Sequence, residues 1–524
     1  MNRLVKCNRD QAILFSKTIA EHLGQKHEIF GFIKLIDSLD LKPFLKHYSA
    51  EGGKAYYPSL ILSVLIYGYH RGWRSSRVLQ RACEENDAMR YLVGDHRIKY
   101  RAIAEFRITF AEEIADVFKQ SVGQVVTRRP SIGKDVKVDG TKIKAMAAND
   151  QTYTKKELAE RKALIEKKIL DYLDGGIADD KREDIELGDN DGSEIDVEET
   201  NKRIADFIAK QKQLKRQHQS DVDKSNSAKK PKTEKPTDPN QLSIFTAAKK
   251  LQKINVALEK AADLADDANI NLTDTDARFM KNGGKIKQSF NAQVASSEGF
   301  IIAADIARGN SENDLEQLAP TLEAAQKNIS SPIEKVTTDS GYFHASGLNH
   351  LEKNKIEGFI PSPQQTAKER KQETDSGYES HYFTKDEKSN SLICPKGKPL
   401  HFHREFTESG NKYFSFHCKP IHCVPCPLRS LCCTTKEDLK RGYRSLELGD
   451  VYLLKHTMIL KMKTAEAKKI YKKRGAEIEP IFGNLKQLRN FREFLLRGIK
   501  KVETELKITS TAFNFGKIVR LAMV

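Results

Sequence analysis

Long apolar runs are absent from this 524-residue sequence. The longest one, Pro58 to Tyr69, has about 12 residues, whereas a helix that spans a bilayer needs about 20. The start of the chain also lacks the apolar core of a secretory signal peptide. These absences exclude a protein with helical membrane spans, and we expect a cytoplasmic location.

Cysteine is scarce outside one short region, because six of the eight cysteines lie between Cys394 and Cys433. This usage excludes a disulfide-rich secreted scaffold and fits a reducing compartment with a local metal or redox cluster. The spacing Cys423-x2-Cys426-x5-Cys432, with Cys394 upstream, is typical of a structural zinc site. Alternative ligands are Cys418, Cys433, His417 and His422, and buried free cysteines are the alternative interpretation.

Acidic residues are fewer than basic ones. The chain has 89 Lys and Arg against 72 Asp and Glu, a formal net charge of +17. Such a balance predicts a polyanionic partner, either nucleic acid or a membrane surface. Hydrophobic residues make up 39% and charged residues 31% of the chain, which predicts a globular protein with solvated segments.

The first 125 residues show the apolar periodicity of helices. A helix from Pro58 to Tyr69, a break containing Gly72 and a second helix from Ser75 or Ser76 to Tyr91 are compatible with a helix-turn-helix. The basic residues that could contact a phosphate backbone there are Arg74, Arg77 and Arg81. A solvated basic surface is the alternative interpretation.

Residues 151–269 interrupt the globular pattern. Amphipathic helices are predicted in this region, and 171–199 holds thirteen acidic and two basic residues, a self-repelling loop. Residues 218–240 are rich in Lys, Pro and Ser, which predicts disorder.

Without this segment, the remaining order is that of a mixed α/β sheet. A strand ends at Asp139, a hairpin covers 286–305, a helix is predicted from Glu312 to Lys327, and a further strand ends at Asp339. A late helix contains glutamate. Carboxylates at neighbouring strand ends can hold two divalent ions for phosphodiester cleavage, and Mg²⁺ suits such oxygen ligands.

Four segments resemble the motifs of DDE transposases from bacterial insertion elements: VDGTKIKA (138–145), SFNAQVA (289–295), TTDSGY (337–342) and YKKRGAEIEPIFGNLK (471–486). The stretch at 56–82 is also similar to the helical domain that precedes the catalytic domain in one branch of this family. The resemblance implies an RNase H-like catalytic domain with insertions, preceded by an all-α domain of the helix-turn-helix type. The implied boundaries are 1–125 for the DNA-binding domain, 130–150 with 270–345 and 455–524 for the catalytic domain, and 151–269 and 346–454 for the two insertions.

The resemblance also implies the catalytic set Asp139, Asp339 and Glu479, with Mg²⁺ or Mn²⁺ as the metal. In the last motif, Tyr471, Arg474 and Lys486 would contact DNA. The motif departs from the family at one point, because four residues rather than three separate Arg474 from Glu479.

Glu477 therefore competes as the third ligand, although it loses the family's spacing to Lys486. Pro480 disfavours the helical conformation of Glu479, so a helix restarting at Pro480 with Glu479 at its cap is predicted. Asn291 and Asn313-Asp314 are expected to shape the site rather than bind metal. The aromatic residues that could stack against a displaced base are Tyr342, Phe343 and Phe482, and a place in the core is the alternative interpretation.

The implied activity is metal-dependent cleavage at the element ends followed by attack of the freed 3′-hydroxyl on target DNA. Double-stranded DNA, oligomerisation on DNA and a nucleoid-associated location follow from the same resemblance. Two alternatives stay open: a catalytically inactive DNA-binding derivative, and a nuclease without strand transfer.

Overall fold

The computed structural model divides into two compact units, Met1–Ala145 with Met280–Val524, and Met146–Phe279. It describes residues 18–48, 55–94, 96–169, 239–262, 265–371, 378–386, 389–408, 411–449 and 451–522. Across these described stretches, no helix is long and apolar enough to cross a membrane.

Helices dominate the N-terminal part of the first unit. In the described portion of residues 18–128 they are α1 (Ile19–Leu23), α2 (Glu28–Asp37), α3 (Lys42–Leu45), α4 (Pro58–His70), α5 (Ser76–Glu85), α6 (Asp87–Val93), α7 (Tyr100–Thr109) and α8 (Ala111–Arg128). The second predicted helix is divided at Asn86, whose side-chain oxygen accepts a bond from the Met89 amide at 3.2 Å and so caps α6.

The helix α4 is apolar on nearly all sides, because it lies in the middle of this helical region. The C-terminal helix (Ile499–Ala522) packs against α4, α8 and the sheet described next. Asn514 of that helix bonds both the amide and the carbonyl of Ile301, at 3.0 and 2.8 Å. The helical region and the sheet therefore belong to one compact unit.

The central sheet has six strands: β1 (Asp135–Lys144), β4 (Arg278–Asn282), β5 (Lys285–Ser297), β6 (Phe300–Ile306), β7 (Lys335–Thr337) and β8 (Glu357–Phe359). Its order is β4-β5-β1-β7-β8, with β6 also paired to β5. The strands β1, β5 and β6 are antiparallel neighbours, whereas β7 and β8 run parallel to β1. The mixed α/β architecture with an N-terminal helical region is as predicted.

Four helices accompany this sheet: Leu318–Asn328, Ala345–Lys353, Tyr452–Lys463 and Ala465–Gly483, of which the last is called the site helix below. The first begins six residues later than the predicted start at Glu312. Residues 312–317 form a loop instead, and this loop reaches the functional site.

A second sheet follows β8 in the same unit. Its strands are β9 (Thr384–Lys385), β10 (Ser391–Ile393), β11 (Pro399–Glu408), β12 (Asn411–Cys418) and β13 (Ser445–Gly449), in the order β13-β12-β11-β10-β9. Helices in and around it are Pro363–Lys371, Pro420–Cys423, Arg429–Cys432 and Lys436–Arg441. Its core contains Leu392, Leu400, Phe416 and Cys418.

The second unit, Met146–Phe279, has a small core of its own. The strands β2 (Thr152–Thr154) and β3 (Asn269–Asn271) pair antiparallel, next to helices at 155–169 and Pro239–Lys260. Leu158, Ile254 and Ile270 form this core. The predicted acidic loop at 171–199 lies outside the described residues, as does all but the end of the predicted disordered segment at 218–240.

Candidate active site

Two aspartates lie side by side at one point of the sheet, Asp139 within β1 and Asp339 two residues beyond the end of β7, the strand that runs parallel to β1. In the register of β1 with β7, Lys137 pairs with Thr337, so Asp139 and Asp339 each lie two residues beyond one pair. Neighbouring strands are about 5 Å apart, which brings the two carboxylates into one site. Asp139 Oδ1 accepts from the Gly140 amide and Asp339 Oδ1 from the Gly341 amide, both at 2.9 Å. The sequence predicted both residues at strand ends, which is right for Asp339 but wrong for Asp139, because β1 continues through Gly140 to Lys144 in its pairing with β5.

A third carboxylate, that of Asp314, lies beside them. Its Oδ1 accepts bonds from Asn291 Nδ2 at 2.7 Å and from Gln293 Nε2 at 2.6 Å. Asp314 comes from the loop that was predicted to be helical, and the sequence reasoning left it out of the catalytic set. The signal that could have found it is the glycine that directly follows Asp139.

The Asp139 carboxylate is largely buried and lies among other charged side chains. Burial raises the pKa of Asp139 to about 6, the Arg474 guanidinium acts in the opposite direction, and the charges of Asp339 and Asp314 add to the increase. Arg474 Nη2 lies 2.8 Å from Asp139 Oδ2, and both side chains are largely buried. A concentration of carboxylates whose mutual repulsion is relieved by one cation is suited to binding divalent metal.

The site helix presents Arg474 and Glu477 to β1. Glu477 Oε2 lies 3.1 Å from Lys137 Nζ, and this lysine also contacts Asp135 at 2.6 Å. Successive helical residues turn by about 100°, so Glu477 is about 60° around the helix from Arg474 and Glu479 about 140°. Glu479 is exposed, and its carboxylate lies near Gly475 on the helix surface. Arg474 and Glu477 thus share the face that contacts the sheet.

The predicted helix restart at Pro480 is wrong. The site helix continues through Pro480 to Gly483 and is followed by a π-helical turn, Asn484–Leu488. Ile478 and Ile481 are buried on either side of Pro480, with exposures of 0% and 2%. Their packing stabilises a continuous helix despite the hydrogen bond that proline cannot donate.

The remaining residues of the last motif are distributed along this segment. Lys486 lies in the π-helical turn, where burial lowers its pKa, the nearby Arg492 charge lowers it further, and the Asp139 carboxylate opposes both effects. Lys486 is therefore within electrostatic range of the site. Tyr471 lies one turn before Arg474 on the site helix and is partly exposed.

Tyr342 is fully buried, so it is unsuited to stacking against a displaced base. Its hydroxyl donates to Gln293 Oε1, and burial raises its pKa well above the usual value, helped by the charges of Asp314, Asp139 and Asp339. Tyr342 belongs to the core under the site.

Within the described residues, no group of three or more His, Cys, Asp or Glu side chains is placed so as to hold a metal ion. The donor set at Asp139 and Asp339 nevertheless fits a hard divalent cation, because it offers carboxylate oxygens in a partly buried site. Mg²⁺ and Mn²⁺ stay predictions from the family resemblance.

The six cysteines of the 394–433 region converge beside the second sheet. All six, together with His422, line a cavity of about 40 Å³. Every described cysteine is a free thiol. Burial raises the pKa of Cys418 and of Cys432 to about 12. Zinc binding by Cys394, Cys423, Cys426 and Cys432 stays a prediction.

Arg74 was predicted to contact DNA, and the structure corrects this. Its guanidinium lies 2.7 Å from Glu505 Oε1, and the two side chains are 6% and 0% exposed. It also donates to the carbonyls of Asn490 and Glu493. Arg74 therefore joins the helical region to the C-terminal segment. Arg77 and Arg81 are exposed on α5, with the Arg77 guanidinium 5.1 Å from the centre of the Tyr100 ring, and their contact with DNA stays a prediction.

Two family models match the chain. One, described as "Transposase domain (DUF772)", covers residues 18–108, and the other, described as "Transposase DDE domain", covers residues 393–519. The second match includes Arg474, Glu477, Glu479 and Lys486 but neither Asp139 nor Asp339. No curated protein and no solved structure matches the chain. The two matches support the resemblance to DDE transposases found in the sequence.

Proposed function

The two family matches support a DDE transposase of insertion elements, a family whose substrate is DNA, and from that premise we propose that this chain binds the terminal inverted repeats of an insertion element. It then cleaves the DNA in a metal-dependent reaction and joins the freed ends to target DNA. The observation that carries the proposal is that Asp139 of β1 and Asp339, which follows β7, lie two residues beyond the same pair of the parallel strands, with Arg474 paired to Asp139.

The catalytic domain is proposed to be RNase H-like. Such a sheet has three antiparallel strands followed by two strands that run parallel to the first. The strands β1, β5 and β6, and then β7 and β8, follow this order and these directions. The insertions at 151–269 and 346–454 would then fall after the first strand and before the site helix.

Asp139 and Asp339 would hold Mg²⁺ or Mn²⁺. When bound, such ions activate the attacking oxygen and stabilise the leaving oxygen of an in-line phosphodiester displacement. With its pKa near 6, Asp139 is ionised at neutral pH and is available as a ligand. In the structure the Arg474 guanidinium forms an ion pair with the Asp139 carboxylate. If Asp139 held a metal ion, the Arg474 guanidinium would be released to bind a phosphate oxygen of the DNA.

A third carboxylate is proposed to come from the site helix. The sequence favours Glu479 through its spacing to Lys486, whereas the geometry favours Glu477, which shares a face with Arg474 and reaches Lys137 of β1. Comparing Glu477→Gln with Glu479→Gln decides between them. The variant that lacks the true ligand should cleave about 10²-fold or more slowly than wild type at saturating metal. The other variant should cleave within a few fold of the wild-type rate.

DNA ends are proposed to bind the helical region, where Arg77 and Arg81 lie four residues apart on α5. This spacing places both guanidinium groups on one face of the helix. Lys486 and Tyr471 would contact DNA nearer the cleavage site. Because two element ends must be brought together, at least two copies of the chain are expected on DNA.

The experiment is an excision assay with a marker bounded by the DNA that flanks this gene's own element. Wild type and Asp139→Ala protein are compared, each with Mg²⁺ and with chelator. Metal-dependent excision by wild type alone supports the proposal. Binding without cleavage by a folded wild type would indicate an inactive DNA-binding derivative. Cleaved ends without joined products would indicate a nuclease.

A further inference from the structure

Asp314 lies on the loop between β6 and the helix Leu318–Asn328, and this loop is tied to the sheet at several points. Asn291 Nδ2 donates both to Asp314 Oδ1 and to the Ser311 carbonyl, at 2.7 and 3.0 Å. Lys142 Nζ lies 3.4 Å from both carboxylate oxygens of Asp314. The carboxylate thus has a fixed place with three donors around it.

Two glycines leave the space that this carboxylate occupies. A Cβ atom at Gly140 would lie 2.7 Å from Asp314 Oδ1, and one at Gly341 would lie 3.0 Å from Asp339 Oδ1 and 3.8 Å from the Asp314 Cβ. Neither glycine has a positive φ. Space rather than backbone conformation is therefore what these two positions require. Gly140 directly follows Asp139, so Asp314 lies against the backbone that carries that residue.

A chain of buried hydrogen bonds leads from Asp314 to the turn that carries Asp339. Gln293 Nε2 donates to Asp314 Oδ1 at 2.6 Å, and Gln293 Oε1 accepts from the Tyr342 hydroxyl. Tyr342 ends the short helical turn Ser340–Tyr342, which Asp339 caps. Gln293 and Tyr342 are 2% and 0% exposed.

The orientation of the Gln293 amide is determined by these partners. With its oxygen towards Tyr342, its NH₂ group faces an acidic acceptor, whereas the flipped amide would direct an oxygen at the Asp314 carboxylate. The amide therefore transmits the position of Asp314 to Tyr342. The connection is rigid because Gln293 and Tyr342 are buried and the Gln293 amide is bonded at both ends.

We propose that Asp314 is a positioning residue for the metal-dependent reaction. Through Gln293 and Tyr342 it holds the turn of Asp339 in a fixed position relative to the strand of Asp139, so that the two carboxylates are arranged for the cation before it arrives. This inference rests on the proposed function, because it assumes that Asp139 and Asp339 bind divalent metal.

The test uses Asp314→Asn, which removes the negative charge while keeping the size of the side chain. Single-turnover cleavage of a DNA end is measured over a range of Mg²⁺ concentrations, together with DNA binding in Ca²⁺ and thermal unfolding. The Mg²⁺ concentration for half-maximal rate is expected to rise at least fivefold, and the rate at saturation is expected to fall 10- to 100-fold. DNA binding and the unfolding temperature are expected to stay near the wild-type values.

A second substitution moves the carboxylate from position 314 to position 293, the other end of their hydrogen bond. In Asp314→Asn with Gln293→Glu, the Asn amide donates to a carboxylate that also accepts from Tyr342, so at least a tenfold recovery of the rate is expected. Asp305→Asn is the matched control, because Asp305 lies on β6 but pairs with Lys507 at 2.8 Å, outside this chain of bonds. It should leave the Mg²⁺ dependence unchanged.

Wild-type Mg²⁺ dependence and rate in Asp314→Asn would overturn the inference. So would a loss of activity that follows the unfolding temperature while the half-maximal Mg²⁺ concentration stays constant. If wild type itself does not cleave, the proposed function fails, and Mn²⁺ binding followed by electron paramagnetic resonance replaces the rate. Weaker Mn²⁺ binding by Asp314→Asn than by wild type would then support the inference, and equal or absent binding in both would overturn it.

Discussion

Removing the charge of Asp139 is expected to stabilise the metal-free protein. The pKa of Asp139 rises from 3.8 to about 6 on folding. A difference of about 2 in pKa corresponds to about 3 kcal/mol by which the folded state disfavours the ionised carboxylate, after the attraction of Arg474 has been included. Asp139→Asn keeps the shape and removes the charge, so it should recover most of this free energy. Active sites commonly lower stability in this way.

The pH dependence gives the prediction its sign. Because the folded-state pKa is raised, the folded protein binds more protons than the unfolded chain between about pH 4 and pH 6. Wild type therefore loses stability as the pH rises through that window and loses no more from this group above it. The expected gain of Asp139→Asn is about 1 kcal/mol at pH 4.5 and about 3 kcal/mol at pH 7.5.

The assay is urea unfolding in the presence of chelator at both pH values. The single tryptophan, Trp73, lies in the unit that contains the site, so its fluorescence reports on the relevant unfolding. Asp87→Asn is the control, because Asp87 forms an exposed pair with Arg90 at 3.1 Å. Its effect should stay within about 0.5 kcal/mol. A destabilised Asp139→Asn at pH 7.5, or a gain that is equal at both pH values, would refute the reasoning.

Three further predictions concern the rest of the molecule. Glu505→Gln should lower the free energy of unfolding of the same unit by about 3–5 kcal/mol, because it leaves Arg74 buried without its ion-pair partner; an unchanged urea midpoint would contradict this. Arg77→Ala and Arg81→Ala should each reduce the slope of log K for DNA binding against log salt concentration by about 1, whereas an unchanged slope would exclude a phosphate contact. Purified wild type should contain one zinc per chain by mass spectrometry and Cys423→Ser should contain none; a zinc-free wild type that unfolds like Cys423→Ser would show that the thiols have no metal.

The sequence was sufficient to assign Asp139 and Asp339 to two strands of the sheet, but it placed only the second strand end correctly. Asp339 follows β7 and precedes a glycine-containing turn as predicted, whereas Asp139 and Gly140 lie inside β1, which continues to Lys144. The order of strands and helices was predictable from local patterns of this kind. The family resemblance then identified which of many aspartates to consider.

Other features depend on contacts between distant parts of the chain. Arg74 forms its ion pair with Glu505, and no residue near position 74 in the sequence indicates this partner. The helix through Pro480 is stabilised by burial of Ile478 and Ile481, which outweighs the local preference of proline. Asp314 was placed in a helix because its neighbours have helical periodicity, although its side chain serves the site from a loop.

The central claim is that Asp139 and Asp339 together form a metal-dependent site that cuts DNA. The most direct measurement is strand cleavage of a labelled oligonucleotide duplex that carries the element end, with Mg²⁺, by wild type, Asp139→Asn and Asp339→Asn. We expect wild type to release a 3′-hydroxyl at the end of the element, and each variant to bind the duplex but cleave at least 10³-fold more slowly. Cleavage by either variant at the wild-type rate, or wild-type cleavage that persists in chelator, would contradict the account.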